Sequence, residues 1–338
     1  MNKESVHAQK KLTLDDIAKE LGVSKTTVSR VISGKGRIGI ETRGKVLKYI
    51  EEHNFTPNAL ARGLAQSKTY NIAVVVHGDY NLVDLPFFQK CILGISEIAS
   101  SVNYDIINAI VKGDDISQLE RIIDNHKVDG VILARTLMVD KPAQFLKEKG
   151  IPFVTIGTSP DKDIIQVDND HRSACKELTS ILLMKGIRRI ALIGGSESHV
   201  VTQNRYKGYL DAFEALKLPL DKDIIYLNVD NAVLSDKIVD SLLQAHTECI
   251  LCMDDSLCLY VLNKLKREHI DVPGQMKLAS FYNSSLLENN IPSITSLNFD
   301  VNELGMVTCC TLLDYINGKE VRKKTILGYE VILKESTK

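Results

Sequence analysis

Lys25, Thr26, Thr27, Ser29 and Arg30 fall within the stretch LGVSKTTVSRVIS, residues 21–33, where a surface helix would ordinarily mix Glu with Lys. These side chains donate and accept hydrogen bonds. An arginine takes both acceptors of a guanine edge, threonine and serine bond a base or a phosphate, and a helix N-terminus itself favours phosphate. The chemistry on offer is the reading of a nucleic acid.

Other chemistries find less support. His246, Cys249, Cys252 and Cys258 in HTECILCMDDSLC are zinc-ligand types. However, ECILCM reads as a buried strand, in which positions three apart point to opposite faces, so Cys249 and Cys252 do not converge on one ion. The seven cysteines, at 91, 175, 249, 252, 258, 309 and 310, make no disulfide framework and fit a reducing compartment. LIGGSES is not a G-x-S-x-G elbow; there is no G-x-G-x-x-G or P-loop, and no His pair has metal-ligand spacing. No catalysis, cofactor or metal is expected.

The elements that must position the candidate residues are legible from periodicity. Leu14, Ile17, Ala18 and Leu21 recur at helical spacing, with Thr13 as N-cap, Asp16 three residues on, and Gly22 to end the turn. Ser24 caps a second helix only three residues downstream, whose stripe is Val28, Val31 and Ile32. Two helices so tightly joined form a helix-turn-helix. With that stripe inward, Thr26 and Arg30 face out, Ser29 lies at the margin and Lys25 on the first turn. A third helix, ETRGKVLKYIEEHNF, closes the core through Val46, Leu47 and Ile50. A solvated face on some other helical module is the rival account of this surface.

Charge supports the nucleic-acid account. The 338 residues carry a formal net charge of −1, yet residues 1–68 hold 13 Lys and Arg against 7 Asp and Glu, and the remainder 29 against 36. The basic end is where a polyanion binds. At 44% hydrophobic and 25% charged composition the chain is globular and long enough for two or three packed units. The N-terminus has no apolar segment with a cleavage site and no run of 18 apolar residues occurs, so a cytoplasmic protein without membrane contact is expected.

From residue 70 the texture changes to strand and helix in alternation: NIAVVV, CILGISEIASSV, YDIINAIV, LERIIDNH, VDGVILA, PAQFLKEKG and IPFVTIG. The plan repeats from RRIALIGG through RYKGYLDAFEAL, IIYLNV, SDKIVDSLLQAH, CILCM and CLYVLNKLKREHI to KLASFYN, with the first helix of each half beginning near Gly94 or Gly208. Such alternation predicts parallel sheets covered by helices, and the duplication predicts two lobes. Ligands of such sheets sit at the carboxyl ends of the strands, here in a cleft between lobes.

The segment LTLDDIAKELGVSKTTVSRVISGKGRIGIETRGKVLKYIEEHNFTPNALARGLAQSKT resembles the DNA-binding head of the LacI/GalR family of bacterial transcription regulators, in helix spacing, in TVSRV and in PNALARGLA. The resemblance runs over essentially the whole chain. It implies a small all-α helix-turn-helix head plus an α/β periplasmic-binding-protein-like domain of two doubly wound parallel-sheet lobes. The implied divisions are 1–57 for the head, 58–69 for hinge helix and linker, and 70–338 for effector binding and dimerisation. Lobe 1 would take about 70–168 and 298–325, lobe 2 about 170–296 and 326–338, with crossings near Asp168–His171, Ser296–Phe299 and Lys324–Leu327.

The resemblance also assigns residues. Lys25, Thr26 and Arg30 align with base-reading positions, and Thr13, Ser24, Thr27, Ser29 and Asn58 complete the expected DNA-contacting set. NALARGLA, too short for a stable isolated helix and interrupted by Gly63, aligns with a hinge helix that orders on DNA. Leu64 would be the apolar wedge in the minor groove, with Ala61 and Ala65 allowing close approach.

For the effector, Phe87 and Phe88 follow the first strand and either stack on an apolar sugar face or cap the core. Arg205 aligns with the family's effector-binding arginine, a salt-bridged surface role being its alternative. Asp254 and Asp255 match a strand-end Asn-Asp loop, and one of them can instead cap the next helix. Tyr282 stands where relatives often carry Asp, followed by Asn283, and the run SFYNSS resembles maltose-type regulators.

The function implied is a homodimeric, sequence-specific repressor on pseudo-palindromic double-stranded DNA, released by a carbohydrate effector. A solute-binding protein and a corepressor-dependent regulator are the alternatives. VILKESTK adds no apolar heptads, which favours a dimer over a coiled-coil tetramer.

Overall fold

A computed structural model describes residues 12–33, 36–53, 55, 68–78 and 85–338. The chain divides into two units, Met1–Thr69 and Tyr70–Lys338. Asn58, Ala61, Leu64 and Ala65, with the expected hinge helix, lie outside the described residues.

In the first unit, α1 (Leu14–Glu20) starts on a capping box: Thr13 Oγ1 accepts from the Asp16 amide at 3.2 Å while Asp16 Oδ2 accepts from the Thr13 amide at 2.9 Å. Gly22, at φ +64°, takes the left-handed turn that a side chain would strain. Ser24 Oγ then accepts from the Thr27 amide at 3.0 Å and opens α2 (Lys25–Ser33). Ile17, Ala18, Val28, Val31 and, from α3 (Ile40–Glu52), Val46 form the small core. Leu47, expected inside, is 47% exposed. The stripe of α3 is Val46, Tyr49 and Ile50 at i, i+3 and i+4, and one residue past Val46 is a 100° turn off it.

The second unit holds two six-stranded sheets. Its first part runs β1 (Asn71–His77), α4 (Leu85–Ser101), β2 (Asp105–Val111), α5 (Ser117–Asp124), β3 (Gly130–Leu133), α6 (Lys141–Glu148), β4 (Phe153–Ile156) and β5 (Ile165–Asn169). The second runs α7 (His171–Met184), β6 (Ile190–Ile193), α8 (Val200–Ala215), β7 (Ile225–Tyr226), α9 (Ala232–Gln244), β8 (Cys249–Cys252), α10 (Asp255–Arg267), β9 (Lys277–Ser280), α11 (Ser285–Glu288) and β10 (Thr295–Asn298). The chain closes with α12 (Val301–Ile316), β11 (Lys324–Leu327) and β12 (Glu330–Ile332). Strand order is β11-β5-β4-β3-β1-β2 in lobe 1 and β12-β10-β9-β8-β6-β7 in lobe 2, with β12 antiparallel to its neighbour and the other pairs parallel. Helices cover both faces, which is why β3, β4, β6 and β8 are buried at every position and read as apolar runs, broken only at Thr155.

The chain passes between lobes three times. It leaves lobe 1 at Asp170, which caps α7 by accepting from the Ser173 amide at 3.1 Å. It returns at Phe299–Asp300, where Asp300 caps α12 in the same manner at 2.9 Å, and leaves again at Gly328–Tyr329. The second crossing falls at the end of the stretch expected from sequence, because Asn298 still pairs in lobe 2, and the third falls just beyond its stretch, because Lys324–Leu327 is itself a lobe 1 strand.

The glycines expected near helix starts are mid-helix instead. A Cβ at Gly94 would collide with the Asn302 carbonyl and one at Gly305 with the Cys91 carbonyl, so α4 and α12 touch backbone to backbone. Gly208 meets the Arg172 carbonyl likewise, where α8 crosses α7. Among the described residues no helix is long and apolar enough to cross a membrane.

Candidate DNA-reading face and ligand cleft

On α2 the inward stripe leaves Lys25, Thr26, Ser29 and Arg30 exposed, with Ser24 on the cap and Thr27 half-buried against it. Thr13, Ser24 and Thr27 are engaged in capping, their hydroxyls bonded to Asp16 or to each other at 2.6 and 2.9 Å. Lys25 Nζ meets Asp15 at 2.7 Å, an exposed pair worth little. The first turn of α2 carries no acidic residue, so its amide end presents an undiluted positive dipole.

In the second unit, the carboxyl ends of the strands enclose a cavity of about 440 Å³. Phe87, Phe88, Arg205, Asp254, Asp255 and Tyr282, predicted from distant parts of the chain, all line it. Phe87, on the first turn of α4, stands 5.3 Å edge-on to Phe88 and 5.9 Å edge-on to Tyr282, so an aromatic row crosses from one lobe to the other. Phe88 and Tyr282 are buried and Phe87 is half-buried.

Arg205, the sixth residue of α8, donates from Nη1 to the Met253 carbonyl at 2.5 Å, while among the described residues none accepts from its buried Nε. Among the described residues it makes no salt bridge. Asp254 is the N-cap of α10, accepting from the Leu257 amide at 2.9 Å. Burial pushes its carboxyl above the ordinary range, against the pull of that amide, Arg205 and Arg135. Burial likewise pushes Asp255 up to about 6, with Ser284 opposing and the neighbouring Asp254 reinforcing. Asn283 is not among the lining residues: the chain turns there into α11, and its amide donates to Glu288 at 3.4 Å.

The sequence reading missed much of the wall. Asp168, at the end of β5, accepts from the Thr158 amide and hydroxyl at 2.7 and 2.8 Å and faces His171 at 3.4 Å. Burial raises its pKa, but the imidazole of His171 and the bonds from Thr158 outweigh that and hold it below the usual range. His171 lies 4.7 Å from Phe299, so the first two crossings touch. Arg135 and Thr136 follow β3, and Ser196, Ser198 and His199 follow β6. The strand-end rule applied to VILAR would have found Arg135; nothing local to the sequence distinguishes His199.

A helix-turn-helix head, together with a two-lobed domain built around a cleft at its strand ends, defines a ligand-responsive DNA-binding protein. Residues 13–58 match the model for bacterial regulatory proteins of the lacI family, and residues 179–337 that for a periplasmic binding protein-like domain. The chain is 32% identical over 333 residues, 96% of its length and 99% of the relative's, to the HTH-type transcriptional regulator MalR of Streptococcus pneumoniae serotype 4. It is 28% identical over 333 residues, 97% of its length and 99% of the relative's, to catabolite control protein A of Staphylococcus xylosus. Among solved structures it is similar to the transcriptional regulator CelR in complex with cellobiose, with a TM-score of 0.71 and 26% identity over 96% of this chain and 99% of that one. The protein belongs to the lacI family of bacterial regulatory proteins and is a DNA-binding transcriptional regulator. The solute-binding-protein alternative is not favoured, since it leaves the head without a role.

Proposed function

We propose that the protein is a homodimeric repressor of carbohydrate-utilisation genes, working in the cytoplasm, whose grip on a pseudo-palindromic operator is released by a neutral oligosaccharide in the inter-lobe cleft. The carrying observation is the lining: aromatic groups from both lobes, Phe87, Phe88 and Tyr282, beside Arg205, Asp254 and Asp255. Aromatic rings take the apolar faces of a pyranose, while the guanidinium and carboxylates take its hydroxyls. The cation and anions on one wall suit a ligand without net charge. The names of the relatives point the same way, one a MalR and another a CelR holding cellobiose.

In the head, Lys25, Thr26 and Arg30 would read base edges, and Thr13, Ser24, Thr27 and Ser29 would help fix the register on the DNA. Asn58, Ala61, Leu64 and Ala65 would serve the hinge that the resemblance implies. Sugar binding changes the lobe angle, and only a ligand that prefers one arrangement can shift the population bound to DNA.

The test is selection from a randomised duplex pool with the purified protein at physiological salt, followed by release with maltose and with cellobiose. A pseudo-palindrome released by either sugar is the expected result. Enrichment of an asymmetric site would remove the dimer, and retention of DNA at saturating levels of both sugars would remove the neutral disaccharide.

A further inference from the structure

Two lobes joined only by crossings can rotate about them, but here a second fastening joins the lobes. The loop after β3 meets the loop between β6 and α8, and Leu137 faces His199 as an antiparallel bridge. The Met138 amide donates to the Ser198 carbonyl at 2.8 Å, and the Val200 amide donates to the Thr136 carbonyl at 3.3 Å. Arg135 Nη1 lies 3.0 Å from His199 Nε2. A guanidinium only donates, so Nε2 accepts and the neutral ring carries its proton on Nδ1. Burial first, then the charge of Arg135 and the neighbouring His77, pushes the pKa of His199 down to about 3. The bond therefore persists across the working pH range. Arg135 also lies over the Phe88 ring, 5.8 Å from its centre.

Placement gives the bridge its mechanical meaning. In lobe 1, β3 stands two strands from β5, where the first crossing leaves; in lobe 2, β6 stands three strands from β10, where the second returns. At the usual spacing between strands the bridge is therefore roughly 10–14 Å from the crossings. Bodies fastened along one line can hinge, and bodies fastened at a second point that far away cannot. Arg135, Thr136, Ser198 and His199 also line the cavity, so the fastening is part of the wall around the ligand.

We propose that the Leu137–His199 bridge, with Arg135 as its clasp, is the latch of the cleft: the lobes separate to exchange a ligand only when these two loops part. For its ligand this inference rests on the carbohydrate reading of the cleft; the latch itself rests on the bridge.

The experiment uses the full-length protein carrying Leu137→Cys and His199→Cys, with the exposed Cys310 replaced by Ser; the six other cysteines are buried. Directly opposed residues of an antiparallel pair lie within disulfide range, so mild oxidation staples the latch. With maltose and cellobiose as probes, association with the stapled form falls at least about 100-fold and recovers on reduction, because a covalent bond replaces bonds that open thermally. Entry at the reduced form's rate would overturn the latch. Hydrogen exchange of the Met138 and Val200 amides is read in parallel on unliganded protein. Protection at both, lost about tenfold faster in Arg135→Ala, supports the clasp, since one charged hydrogen bond is worth about that factor. Unprotected exchange at both amides would overturn it whether or not a sugar binds. Should neither sugar bind the wild type, the disaccharide reading fails by itself and exchange still decides the latch.

Discussion

Arg205 is held by one bond and lacks another: Nη1 reaches the Met253 carbonyl while Nε has no acceptor among the described residues. A buried donor of this kind is costly unless a ligand takes it. Arg205→Ala should therefore weaken sugar binding by about 10- to 100-fold, the equivalent of 1.5–3 kcal/mol for a charged hydrogen bond, and leave operator affinity without sugar unchanged. Fluorescence anisotropy of a labelled operator, titrated with sugar, reads both; normal release in the variant removes Arg205 from the pocket.

Asp255 offers a test by pH. Its folded pKa of about 6 is above that of an unfolded aspartate, so folding favours the protonated form. The penalty is absent below about pH 4, grows as pH rises towards 6 and is complete above it, at up to about 3 kcal/mol. Asp255→Asn should stabilise the protein at pH 7 and not at pH 4. Denaturant unfolding at the two values checks this, and an equal effect at both would place the carboxyl outside the titration.

Among the elements, α4 and α12 depend on Gly94 and Gly305, each facing a backbone carbonyl of the other helix. Gly305→Ala should destabilise the second unit by about 1–3 kcal/mol, the usual cost of overpacking, despite the better helix propensity of alanine. A stabilised variant would mean that the helices slide apart freely. For the hinge, Leu64→Ala should weaken operator binding while sugar affinity stays constant; equal loss of both would contradict a separation of roles.

The caps and stripes of α1 and α2 were legible because a 3.6-residue period and short polar caps are local signals. Gly94 and Gly208 misled for the opposite reason. The sequence pattern places them near helix starts, but each sits mid-helix at a close crossing made by residues about two hundred positions away in one case and about thirty-five in the other. Of the cleft, strand-end position gave Phe87 and Asp254, and the family resemblance gave Arg205. Arg135, just past β3, was open to the same strand-end rule, whereas His199 belongs to the site only once one lobe is brought against the other.

For the whole molecule, charge segregation is the governing fact. The excess of basic residues in 1–68 and of acidic residues beyond it concentrates attraction for DNA in the head and repels the rest from the backbone. Operator affinity should fall steeply with salt, by about 10³–10⁵-fold between 50 and 200 mM if six to ten phosphates are neutralised across a dimer. Sugar affinity, resting on buried groups between neutral partners, should hardly move over that range. Parallel titrations in potassium chloride measure both slopes.

The three crossings carry a consequence for biosynthesis. Lobe 1 is begun at residue 71, but α12, which packs on α4 and the sheet, starts only at residue 301, and its edge strand β11 ends at residue 327. At 5–20 residues per second, the ribosome takes about 7–26 s to travel from β5 to the start of α12. During that interval the apolar flank of the first lobe has no cover, while the second lobe gains nearly all its strands. The lobe translated first is thus completed close to last, and a nascent chain stalled near residue 298 would be a client for a holding chaperone.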